Sequence, residues 1–172
     1  MKPILNLDEI EYTPWGRGAE RPGAGSASEK YSAKLGYIAP RIGAQKLGYN
    51  VTVLPPGKAA FPAHAHRVNE EMFFVLEGSG EVRIGSQSWP IRKGDFIACP
   101  PGGPETAHQI FNSSAGELKF LAVGTMMSPE IAEYPDSGKI GFYHARTGAD
   151  GKPAPFRHIT REGQAVPYWD GE

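Results

Sequence analysis

Three histidines and one glutamate have the types and spacing to hold a divalent metal ion: His64, His66, Glu71 and His108. On an extended segment, residues i and i+2 point to the same face, so both imidazoles of His64-Ala65-His66 can reach one point. Glu71 opens a strand-like run just downstream, and His108 opens another about forty residues later. Three neutral imidazoles and a carboxylate make a borderline-soft nitrogen and oxygen set that suits first-row divalent ions. Calcium and magnesium want mostly oxygen, and structural zinc more often brings cysteines. The triplet alone is a weak signal, because a His-His pair on a strand is often a solvated face. The frame around it decides.

That frame reads as short strands and tight turns. Leu47, Tyr49, Val51 and Val53 alternate along one strand, which Pro55-Pro56-Gly57 ends. Glu71–Glu77 is a strand closed by Gly78-Ser79-Gly80, and Glu81–Ile84 with Gln87–Ile91 makes a hairpin around Gly85-Ser86. Asp95–Cys99 is a strand stopped by Pro100-Pro101-Gly102. His108–Asn112 and Leu118–Val123 read as a last hairpin around Ser113–Gly116. With 22 glycines and 16 prolines, the chain is too rich in turns for a helical bundle. It reads as an all-β sandwich or barrel, with its core around Val51, Val75, Ile97 and Ile110. Three textures mark the domains: an arm over 1–43, the barrel over 44–125 and an extension over 126–172. The arm, with its Gly16–Gly25 run, is expected to be flexible or draped on the surface. In the extension, Ser128-Pro129-Glu130 has the cap, proline and acid of a helix start. Tyr134, Phe142, Tyr143, Phe156, Tyr168 and Trp169 are expected to anchor the extension to the barrel.

Two motifs now carry a resemblance. Gly57, six residues, His64-Ala65-His66, four residues, Glu71, six residues and Gly78 stand in order. After fifteen residues come Gly94, five residues, Pro100-Pro101-Gly102, five residues, His108, three residues and Asn112. This pattern resembles the two motifs of the cupin superfamily and covers residues 57–112. Both spacers are longer than the family's usual ones, and both lengthenings fall in loops, where insertions are tolerated. The resemblance implies a double-stranded β-helix, or jelly-roll barrel, with one divalent transition metal (iron, manganese, nickel or zinc; copper also occurs) held by His64, His66, Glu71 and His108. Glu70 is the other position open to the carboxylate, and the six-residue step to Gly78 favours Glu71. Residues Glu133–Lys139 also resemble a stretch of single-barrel cupins described as sugar-phosphate isomerase-like.

Several other residues call for weighing. Asn112 either orients a ligand histidine or forms the turn before Ser113-Ser114. Glu105, in the long loop before His108, lies where it could shape substrate entry. Tyr49, Phe73, Phe111 and Phe120 read as barrel core before substrate contacts. Cys99 reads as a buried structural thiol, and His144 and His158 as surface residues.

Composition limits the function. A net charge of −1 and singly scattered lysines and arginines offer no footprint for nucleic acid or anionic lipid. No apolar run is long enough to span a membrane. One cysteine and no secretory pattern at the first residues fit the cytoplasm. A homodimer is expected, since edge strands invite pairing. Two classes remain. One is a metalloenzyme of oxygenase, isomerase or lyase type acting on a small polar or anionic molecule. The other is a metal-containing module that binds or senses a small ligand without turnover.

Overall fold

The computed structural model describes residues 2–16, 29–161 and 163–172. Apart from Gly16, the Gly16–Gly25 run lies outside the described residues. Thirteen strands are described: β1 (Thr13–Gly16), β2 (Ser32–Tyr37), β3 (Leu47–Leu54), β4 (Ala65–His66), β5 (Glu71–Glu77), β6 (Ser79–Ile84), β7 (Gln87–Arg92), β8 (Phe96–Cys99), β9 (His108–Phe111), β10 (Leu118–Thr125), β11 (Glu130–Tyr134), β12 (Lys139–His144) and β13 (Phe156–Arg161). One short helix, α1 (Ala39–Ile42), lies between β2 and β3. The architecture is the all-β jelly roll that the motifs imply.

One layer is a six-stranded sheet in the order β1-β2-β3-β10-β5-β8. Facing it are a three-stranded sheet, β7-β6-β9, and a four-stranded one, β13-β12-β11-β4. A bridge between His64 and His108 joins these two. The arm therefore supplies β1 and β2 to one layer, and the extension supplies β11–β13 to the other.

Strand alternation sets what faces inward. On β5, Phe73 and Val75 are buried between more exposed neighbours, and β10 sets Ala122 and Phe120 opposite them. Leu54, Val82, Ile91, Ile97, Ile110 and Leu118 complete the packed interior. Each such side chain contributes about 1.5–3 kcal/mol by leaving water. On β3 the inward set is Asn50, Thr52 and Leu54, paired with Ala122, Phe120 and Leu118. Val51 and Val53 are also buried, but on the outer face. There Val51 pairs with Gly36, against which Ile10 and Tyr12 pack. Gly78 needs to be glycine for two reasons: its φ is +80°, and a Cβ there would run into the Glu117 carbonyl.

Two local expectations are corrected. His108–Asn112 and Leu118–Val123 are not a hairpin: β9 pairs with β6, while β10 pairs with β3 and β5 in the other layer. The turn between them is a crossover pinned by Asn112. Its Nδ2 donates to the carbonyls of Leu54 (2.8 Å) and Gly116 (2.7 Å), and its Oδ1 accepts from Ser114 N–H and Oγ. Second, Ser128-Pro129-Glu130 starts a strand, not a helix. Glu130–Tyr134 pairs with β4 and β12, and ladder bonds on both sides outweigh the local helix-start chemistry.

Candidate metal centre

The site is built where the layers face each other. His64 and His108 exchange both backbone hydrogen bonds, at 3.2 and 2.9 Å, which puts their side chains on one face of the sheet. His66, two residues on, shares that face. Glu71 comes from the opposite layer at the start of β5. Gly124 lies across from it on β10, and a Cβ there would stand 3.3 Å from Glu71 Cγ. Glycine at 124 leaves that carboxylate its room.

All three imidazoles converge on one oxygen. Glu71 Oε2 lies 2.9 Å from His108 Nε2, 3.5 Å from His66 Nε2 and 3.8 Å from His64 Nε2. Donors that share one ion at bond lengths of about 2.0–2.1 Å stand about 3–3.5 Å apart; the His108 and His66 distances to Glu71 match that spacing and the His64 distance is slightly longer. His64, His66 and Glu71 can offer one donor atom each within 4.8 Å of one another. The donor chemistry fits an ion as well. His66 Nε2 is buried and makes no hydrogen bond, although buried polar atoms normally find a partner. Nδ1 of His64 lies 2.9 Å from the Pro62 carbonyl; donating its proton there leaves Nε2 a lone pair toward the centre.

The electrostatics split the two histidines of the triplet. Burial first, then the neighbouring His108, push His64 down to about 4, so it stays neutral. Burial also works to lower His66, but the carboxylates of Glu71 and then Glu130 raise it above its ordinary value. Burial works to raise Glu71; the hydrogen bond from His108, with the nearby imidazoles of His66 and His64, holds it well below the carboxylate range. A carboxylate that remains ionised beside imidazoles that can shed their protons is what a divalent ion requires.

The cluster lies against a cavity of about 180 Å³. Phe61, Phe73, Phe120, Ile110, Ala60 and Ala122 give it apolar walls, and Asn50, Thr52 and Gln109 are its amides and hydroxyl. Thr52 Oγ1 donates to Asn50 Oδ1 (2.8 Å) and Gln109 Nε2 to the Phe61 carbonyl (2.6 Å). The Asn50 amide N–H groups and Gln109 Oε1 are left for a ligand.

The other candidates fall as follows. Phe73 lines the cavity. Tyr49 lines a neighbouring hollow with Gly48 and Met126, which shares Asn50, Glu71 and Ala122 with the cavity at the centre. Glu105 is exposed and accepts from Gly103 N–H at 2.9 Å. Asn112 holds the crossover turn described above. Glu70 is exposed, and among the described residues its backbone alone engages, with Thr125. Cys99 is buried opposite Glu71; burial and that carboxylate push its thiol up to about 12, so it is a poor nucleophile. His144 and His158 are exposed. Tyr168 and Trp169, expected as anchors, are 85% and 76% exposed and pack edge to face on each other. Sequence reasoning missed Glu130, a buried carboxylate 3.6 Å from His66 Nδ1; its only signal was an acid at an apparent helix start.

A two-layered β-barrel with three histidines and a glutamate converging between its layers is the architecture of a cupin. Residues 50–124 match the cupin domain model, so the chain carries a cupin domain. An uncharacterised protein of Methanocaldococcus jannaschii is 33% identical over 69 residues, 40% of this chain and 52% of that protein. The chain thus spans about half the length of the curated relative it matches. The sugar phosphate isomerase of the cupin superfamily from Silicibacter pomeroyi is similar over 98% of each chain, with 27% identity and a TM-score of 0.74. A candidate sugar phosphate isomerase from Acidithiobacillus ferrooxidans shares the fold at 23% identity and a TM-score of 0.67, over 90% of this chain and 92% of that one.

Proposed function

We propose that this chain is a metalloenzyme acting on a small polar or anionic molecule at a divalent first-row ion, with His64, His66, Glu71 and His108 as the ligands. The observation that carries the reading is the convergence of three Nε2 atoms on Glu71 Oε2, beside an apolar-walled cavity. When bound, such an ion polarises a coordinated oxygen or makes a bound water more acidic. The chain does the positioning. One carboxylate against a divalent ion leaves a net positive centre, which favours an anionic or chelating ligand. The Asn50 amide can donate to that ligand and Gln109 Oε1 can accept from it, while the phenylalanine walls keep bulk water out. The buried thiol offers no competing nucleophile.

The likeness to the Silicibacter pomeroyi sugar phosphate isomerase supports an isomerase-type reaction. Among the described residues, however, no lysine or arginine lines the cavity. A phosphate there would find its compensating charge in the ion alone, so compact hydroxy acids and keto acids stand beside sugar phosphates as substrates. The test is a screen of protein reloaded with iron, manganese, nickel or zinc, run with and without air. It covers keto acids, thiols, phenolics and sugar phosphates, each phosphate paired with its unphosphorylated sugar. Turnover lost in Glu71→Ala and His108→Ala supports the reading. Activity that survives in these metal-free variants moves the chemistry elsewhere, and tight binding without turnover makes the chain a binding module. We also propose that the chain works as a homodimer in the cytoplasm.

A further inference from the structure

We propose that Glu130, outside the stretch matched by the cupin model, is the positioning residue of the metal centre: its carboxylate orients His66 from behind and holds the loop that spaces His66 from Glu71. The inference rests on the metal reading above and adds a dependence of the centre on the C-terminal extension.

The loop is Arg67–Glu70, the four residues between two ligands. Its backbone N–H groups stand beyond the end of β4 and need acceptors. Arg67 N–H has the Ile131 carbonyl at 2.9 Å; Glu130 adds a second acceptor there and supplies those of Val68 and Asn69. Its Oε1 accepts from the N–H groups of Arg67 (3.1 Å), Val68 (3.2 Å) and Ile131 (2.8 Å). Its Oε2 accepts from Asn69 N–H at 2.8 Å and from the Asn69 side-chain amide. Asn69 carries the network onward: its Oδ1 accepts from Thr125 Oγ1 (2.9 Å) and Met127 N–H (2.7 Å). Thr125 Oγ1 in turn accepts from Glu70 N–H at 3.0 Å. Every residue between the two ligands is thereby tied to the end of β10 or the start of β11. Arg67 is tied twice, since its Nε donates to Glu133 Oε1 at 2.6 Å.

His66 closes the argument. Its Nδ1 lies 3.6 Å from Glu130 Oε2, and its Nε2 lies 3.5 Å from Glu71 Oε2. A carboxylate behind the ring favours the proton on Nδ1, leaving the Nε2 lone pair toward the centre. A carboxylate only 7% exposed is costly to keep without hydrogen-bond donors; the loop supplies them, and the His66 ring stands 3.6 Å away as a further charge partner when protonated.

The test uses the full chain and Zn(II), with affinity read by chelator competition. Glu130→Gln brings an amide N–H where the loop needs acceptors. It should keep the β-rich circular dichroism spectrum while weakening Zn(II) binding by about 10–100-fold. In a His66→Ala background the same change should cost little further affinity, because the two act through one ligand. A merely structural role would give additive losses, and either additivity or unchanged affinity overturns the proposal. Should Glu130→Gln not fold, nitrogen-15 spectra of metal-free wild type at mildly alkaline pH still decide. His66 as the Nδ1–H tautomer supports the proposal, and the Nε2–H tautomer overturns it. Wild type that binds no Zn(II) would count against the proposed function, while the tautomer result stands apart from it.

Discussion

His64 and His66 stand two residues apart and face the same carboxylate oxygen, yet their protons behave oppositely. Between its ordinary 6.5 and about 4, an unfolded His64 takes up a proton that the folded site refuses. Its contribution to stability is therefore complete above 6.5 and is lost as pH falls toward 4. His66 has the reverse sign: its pKa is raised, so its contribution is present below 6.5 and lost as pH climbs through the folded value. Proton-detected titration of the metal-free protein should put His64 near 4 and His66 above 6.5; equal midpoints would contradict the geometry. Metal occupancy should follow the ligand set. His66→Ala should strip most of the ion and Glu70→Ala very little, as read by elemental analysis of purified protein. Full occupancy in a His64→Ala/His66→Ala double variant would refute the site. That Glu71 and not Glu70 faces the histidines was legible in the six-residue step to Gly78; in the fold, the strand starting at 71 turns 71, 73 and 75 inward together. Glu130 was not legible, because its partners are backbone N–H groups in a loop about sixty residues earlier, and no spacing rule reports them.

At the level of elements, local pattern predicts strands well and their partners poorly. Glu71–Glu77 and the hairpin of β6 and β7 follow from alternation and turn residues. The Asn112–Gly116 turn has the chemistry of a hairpin but carries the chain from one layer to the other, and a turn's residues do not say which sheet receives the next strand. On β3 both faces are buried, so alternation there reads the outer valines as readily as the inner Asn50, Thr52 and Leu54. Glycines give this scale its test. Gly78 and Gly94 both have positive φ, +80° and +95°, and alanine in the left-handed region costs about 1–2 kcal/mol. At Gly94 nothing lies within 4 Å of a Cβ, whereas at Gly78 the Glu117 backbone blocks it. Gly78→Ala should therefore lower the melting temperature distinctly more than Gly94→Ala. Equal shifts would show that backbone strain alone makes residue 78 a glycine.

Across the whole molecule, the two layers are not equally finished. The sheet carrying His66 ends in β13, an edge strand whose Phe156 and Ile159 are 41% and 39% exposed. Beside it Phe142, Phe156, Val68 and Pro129 line a shallow hollow of almost wholly apolar surface, and Met126 and Met127 stand exposed at the neighbouring chain reversal. An exposed edge with apolar side chains invites pairing with another strand, and a self-complementary patch closes most simply as a two-fold dimer. The proposed homodimer belongs on this face. Light scattering at micromolar concentration should give twice the chain mass. Phe142→Glu and Phe156→Asp should bring that to the monomer value while zinc affinity changes little, since neither side chain touches the ligands. A wild-type chain that stays monomeric rules out the dimer. A dimer that survives both substitutions places the interface elsewhere, with the outer edge β1 of the six-stranded layer as the next face to probe.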